Sequence, residues 1–165
     1  LLPIGHLLTE LNVIIRLSED GKFQRAEKLK SSAKNKTLIC VPCTDESEGR
    51  SGTNAIDFPH PLFDQIKYLS TKKYLDNLKK WLEYLKGTPK HTLAYQAIFA
   101  VHHYMEKGTL CKNLKLSQIA VNDKLFVAFC VTLDNSLQDR LWEMPELWEA
   151  WVDFCLTENI NPCLP

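Results

Sequence analysis

Leu11, Val13, Ile15 and Leu17 recur at every second position of residues 11–17, so one face of an extended segment is apolar, the pattern of a half-buried strand. The letters SEDGK that follow carry Asp20-Gly21, a pair favoured where hairpin residues need positive φ, and KFQRAEKL returns as the partner strand. After the polar connector KSSAKNK, the run TLICVP predicts a third short strand that extends a meander. The apolar spacing then changes from two to three and four. PHPLFDQIKYLS places Pro61 at a first helical turn, with Leu62, Phe63, Ile66 and Leu69 as a stripe. In TKKYLDNLKKWLEYLKG, Tyr74, Leu75, Leu78, Trp81, Leu82 and Leu85 fall within about 120° of arc, and Lys72, Lys73, Lys79, Lys80 and Lys86 occupy the other side. Gly87 and Pro89 stop that helix, and residues 92–107 predict another, closed by Gly108.

Residues 123–135, DKLFVAFCVTLDN, are β-branched, aromatic or apolar between polar ends, as in a strand covered on both faces. MPELWEAWVDFCLTE predicts a helix with Pro145 in its first turn and Leu147, Trp148, Trp151, Val152 and Cys155 on its inner face. The order is that of an α+β domain: an N-terminal antiparallel β meander (1–44), a helical section (60–108), then a further strand and a C-terminal helix (124–157). With 45% hydrophobic residues, including four Trp and seven Phe, residues 1–165 carry the material for one core, hence one domain. The first residue is not Met and the last letters are NPCLP, so the expectation is a piece cut at both ends from something longer.

Charge alters the picture only when located. The chain is formally neutral, yet residues 1–115 hold 18 Lys and Arg against 12 Asp and Glu, while residues 116–165 hold 2 against 8. A basic patch therefore survives the zero sum. No apolar run is long enough to span a bilayer and no signal peptide opens the chain, which reads as soluble and unexported, with no membrane partner, in the cytoplasm. In that compartment Cys40, Cys43, Cys111, Cys130, Cys155 and Cys163 are expected as free thiols. The C-x-x-C of Cys40 and Cys43 is followed by loop letters instead of a helix, and no second ligand pair accompanies it, so no redox or metal site and no cofactor is expected. His102 and His103 read as one inward and one exposed histidine, His60 as part of a turn between two prolines. Phosphate-loop, dinucleotide, zinc-protease and nucleophile-elbow motifs are all absent, so no catalysis is expected.

Two features are suited to nucleic acid. The stretch EGRSGTN, residues 48–54, has Gly49 and Gly52 to admit close backbone approach, Ser51 and Thr53 to donate to phosphate, and Arg50 and Asn54 to pair two-pronged with a guanine and an adenine edge. Its bland alternative is a surface turn, and Asp45, Glu46 and Glu48 beside it would repel phosphate. The face of Lys72, Lys73, Lys79 and Lys80 is either a solvated helix surface or a phosphate contact without sequence preference.

The blocks LLPIGH, GKFQRAE, VPCTDESEGRSG, HPLFDQIKYL, KLFVAFCV and PELWEAW, then a Cys within NPCLP, occur in an order that resembles the N-terminal region of the large subunit of the type I-C (Dvulg-type) CRISPR interference complex, or Cascade. The resemblance implies a non-catalytic, DNA-binding protein of antiviral defence that recognises the protospacer-adjacent motif in duplex target DNA and supports pairing of the CRISPR RNA with its target. It implies as partners the CRISPR RNA, other Cascade subunits and a recruited helicase–nuclease. The alternative within the same assembly is an architectural module that docks neighbouring subunits without touching DNA.

Overall fold

A computed structural model describes residues 2–133 and 138–164. Leu1, residues 134–137 and Pro165 lie outside them, and with them the Asp134-Asn135 end of the expected late strand.

The main sheet has the order β3-β2-β6-β5, from β2 (Val13–Ser18), β3 (Phe23–Lys28), β5 (Asp64–Gln65) and β6 (Phe126–Thr132). The expected hairpin forms: β2 and β3 pair antiparallel, and Gly21 N–H donates to Ser18 O at the turn. Only Gly21 of the Asp-Gly pair has positive φ, +80°. β6 lies parallel to β2 in register from Val13 against Val127 to Ser18 against Thr132, with β5 antiparallel on its other side. Being central, β6 buries every residue but Thr132, which explains its unbroken apolar letters.

The meander does not continue. β4 (Leu38–Pro42) leaves β3 and pairs antiparallel with β1 (His6–Glu10), an element the apolar spacing did not announce, to form a separate two-stranded sheet. Ile39 and Val41 of β4 are buried there with Leu7 packed against the core, whereas the outer residues of β3, Gln24 and Arg25, are exposed. Register follows the burial of one strand face, and beside β3 that face of β4 would meet water.

The helices are α1 (Asp45–Glu48), α2 (Ile66–Leu69), α3 (Lys72–Lys86), α4 (Thr92–Glu106), α5 (Leu110–Leu116) and α6 (Pro145–Glu158). α3 forms on its expected face, with Tyr74, Leu78, Trp81 and Leu85 buried and Thr71 capping its first turn. α4 is buried over most of its circumference because it lies between the sheet and the pair α3 and α6; Ala94, Ala97 and Ala100 permit that approach. On α6, Leu147, Ala150, Trp151, Phe154 and Cys155 are buried, while Trp148 and Val152 are half-buried. The helix expected from Pro61 is shorter: the chain stays extended through Gln65 and turns only once, as α2, because Asp64 and Gln65 are held against β6. Most of the buried hydrophobic side chains form one continuous cluster.

The free-thiol expectation fails at two positions. Cys43 and Cys163 form a disulfide across 120 residues. Their backbones are already tied: Cys163 N–H donates to Cys43 O, Cys43 N–H to Gly5 O, and Gly5 N–H to Cys163 O. Cys40, Cys111, Cys130 and Cys155 remain thiols; burial pushes Cys130 and Cys155 up to about 12, so they behave as small hydrophobes.

Candidate nucleic-acid interface

The segment after β4 is an ordered structure. Thr44 and Ser47 close a capping box around α1: Ser47 N–H donates to Thr44 Oγ1, and Thr44 N–H donates to Ser47 Oγ. Asp45, Glu46 and Glu48 of this turn face solvent. Gly49 ends it at φ −87°, a value open to any residue, so the expected positive φ is confined to Gly52, at +71°.

Arg50 points inward. Its Nη1 and Nη2 donate to Asp64 Oδ2 and Oδ1 at 2.7 Å each, and Nη1 also donates to Phe58 O at 3.0 Å. The guanidinium carbon stands 3.5 Å from the centre of the Tyr68 ring. Asp64 has no exposure and also accepts the backbone N–H groups of His60 and Gln65, so four donors compensate one buried carboxylate. The fork that was to read a guanine edge is thus committed to Asp64, a carboxylate 14 residues away, instead of to solvent. Burial decides this: an unpaired Asp64 in the core would be far costlier than the loss of an exposed arginine.

His60 is likewise more than a turn residue. It is buried, its Nδ1 shares a 2.8 Å hydrogen bond with Ser47 Oγ, and burial pulls its pKa down to about 4 against the attraction of Asp64. Arg50, His60, Asp64 and Ser47 therefore form one polar clamp. The sequence offered a weak signal for it, a lone Asp64 within the apolar letters PLFDQI, which is where a paired buried charge would stand.

With its root fixed, the segment presents Ser51, Gly52, Thr53 and Asn54 at the surface; the last two begin a 3₁₀ turn, Thr53–Asp57. The lysines separate into two settings. Lys73 and Lys80, one to either side of Asn77, line a cavity of about 320 Å³ with Thr44, Glu46, Asp57, Phe58, Pro61 and the rings of Trp151 and Phe154. Lys79, with Lys80, borders a shallower groove that also holds Asp76, Glu83 and Glu158. Lys72 is exposed at the start of α3. None of the four has an ion pair among the described residues. The structure thus brings Lys73 and Lys80 to the segment 44–61, while turning Arg50 away from the surface they share.

The family whose description reads CRISPR-associated protein (Cas_Csd1) matches residues 1–164. The chain belongs to that family. No curated protein matches it. In this Cas_Csd1 protein the C-x-x-C pair is split: Cys43 stands beside Cys163 and the exposed Glu48, and Cys40 remains a separate thiol. His102 and His103 are both half-buried, neither fully inward nor fully exposed, and His103 stacks on Phe99 at 5.7 Å. Among the described residues no helix is long and apolar enough to cross a membrane.

Proposed function

We propose that this chain is the DNA-binding, non-catalytic large-subunit domain of a type I-C CRISPR interference complex, or Cascade, and that it recognises the protospacer-adjacent motif in duplex DNA to support R-loop formation in antiviral defence. Family membership and the order of the sequence blocks support the assignment. One observation carries the DNA contact. Lys72 and Lys73 occupy the first turn of the 15-residue α3, where no acidic residue is present. That end of a helix already bears positive potential, so two cations there repel it at a cost of about 0.3–1 kcal/mol each, and a phosphate relieves the repulsion. Lys80 continues the positive edge, and Ser51, Thr53 and Asn54 supply exposed donors on the neighbouring segment. Arg50 is assigned the support of that segment and makes no base contact. The guide RNA, partner subunits and helicase–nuclease belong to this reading as its assembly.

The test is titration of the assembled complex with duplexes that carry or lack the adjacent motif, at two salt concentrations. Lys73→Glu with Lys80→Glu lowers affinity for both duplexes and flattens the dependence of log affinity on log salt by about 2, while stability stays within about 0.5 kcal/mol. Equal affinity for the two wild-type titrations removes motif reading from this chain. A second, architectural reading has its own observation: Leu8 and Leu38 stand 58% exposed on the outer face of the β1–β4 sheet. Loss of assembly with the lysine variant, without a separate DNA defect, favours that reading.

A further inference from the structure

The sulfurs of Cys43 and Cys163 and a carboxylate oxygen of Glu48 lie within 4.8 Å of one another. Both cysteines are fully buried and Glu48 is exposed. The single turn of α1 carries residue 48 back over residue 43, and the capping box of Thr44 and Ser47 holds that turn. Glu48 has no ion pair among the described residues, so an anionic group stands unanswered beside two sulfurs.

We propose that Cys43, Cys163 and Glu48 form a binding site for a zinc-class divalent cation when the disulfide is reduced, the bond and the ion being alternative occupants of one position. Two thiolates, one carboxylate and a water on the exposed side make a tetrahedral set that suits zinc, whereas calcium and magnesium prefer oxygen alone. The backbone hydrogen bonds joining Gly5, Cys43 and Cys163, with Asp45 N–H donating to Asn161 O, keep the strands together once the covalent bond is open. Rotation about each Cα–Cβ bond then parts the sulfurs enough to admit an ion. In the exchange, two equivalents of a thiol reductant supply two electrons and two protons, become a disulfide themselves and leave two cysteine thiols. Binding of the cation then releases both thiol protons to solvent. This site stands or falls independently of DNA binding.

The experiment uses the whole chain, reduced anaerobically with a phosphine, dialysed, and titrated with Co²⁺ and then Zn²⁺. The expected result is one equivalent of cobalt with tetrahedral visible bands and a thiolate-to-metal charge-transfer band, displaced by one equivalent of zinc, and no uptake by the oxidised chain. Glu48→Gln, a surface change, weakens zinc binding by more than the roughly 10–100-fold typical of losing an outer-sphere partner. Cys43→Ser with Cys163→Ser abolishes the charge-transfer band; if that variant does not fold, the wild-type spectrum and Glu48→Gln decide. Absence of the band in reduced wild-type chain overturns the site, as does uptake by the double serine variant or unchanged affinity in Glu48→Gln.

Discussion

At the scale of single residues, Arg50 shows how an exposed-looking polar stretch can conceal a structural pair. Removing it in Arg50→Ala leaves Asp64 charged and buried, so urea denaturation should show a loss of about 3–5 kcal/mol. A variant that lost DNA binding through a missing base contact would instead keep its stability. His60 gives the clamp a pH dependence with a definite sign. Its unfolded form takes a proton near pH 6.5 and its folded form resists until about pH 4. Between those values the unfolded state binds more protons, so stability falls as pH falls through that window, by up to about 3 kcal/mol. Buried His6, also lowered, acts in the same direction. Denaturation midpoints measured from pH 7 to pH 4 should decline, and His60→Asn should make the decline shallower.

At the scale of elements, the two glycines with opposite surroundings separate strain from crowding. Gly52 has positive φ and open space around its missing side chain, so Gly52→Ala costs about 1–3 kcal/mol from the backbone alone. Gly21 also has positive φ, but a Cβ there would stand 2.8 Å from Ala100 O on α4, so Gly21→Ala adds about 1–3 kcal/mol of overpacking. Thermal melts should therefore rank Gly21→Ala well below Gly52→Ala, and equal melting temperatures would contradict the close seating of the hairpin on α4. Elements governed by their own periodicity were legible in the sequence: α3 through its stripe, α6 through Pro145, the β2–β3 hairpin through Asp20-Gly21. Those decided by distant partners were not. β1 has little alternation of its own and exists because Ile39 and Val41 need a neighbour, and α2 is cut short because Asp64 answers Arg50. The candidate site was half legible for the same reason: Lys73 and Lys80 follow from helix geometry, but the inward turn of Arg50 depends on a tertiary contact.

At the scale of the whole molecule, the charge asymmetry along the chain is partly cancelled in space. Glu158 of the acidic α6 borders the groove of Lys79 and Lys80, and Asp153 pairs with Lys90 and His91. Lys72 and Lys73, at the N-terminal edge of α3, make no ion pair among the described residues. The Cys43–Cys163 bond closes a loop of 120 residues. By the loop-length relation, its reduction in metal-free buffer should lower stability by about 4–5 kcal/mol, read from denaturation with and without reductant. A shift near zero would mean that the backbone ties around Gly5 suffice without it.

The parallel seating of β6 against β2 also governs how the molecule is made. During synthesis the hairpin of residues 13–28 emerges well before the strand that fills the middle of its sheet, which begins only at Phe126. Until residue 132 leaves the exit tunnel, Val13, Ile15 and Leu17 have no lasting neighbour on one edge, and the nascent chain carries an open sheet in need of shielding.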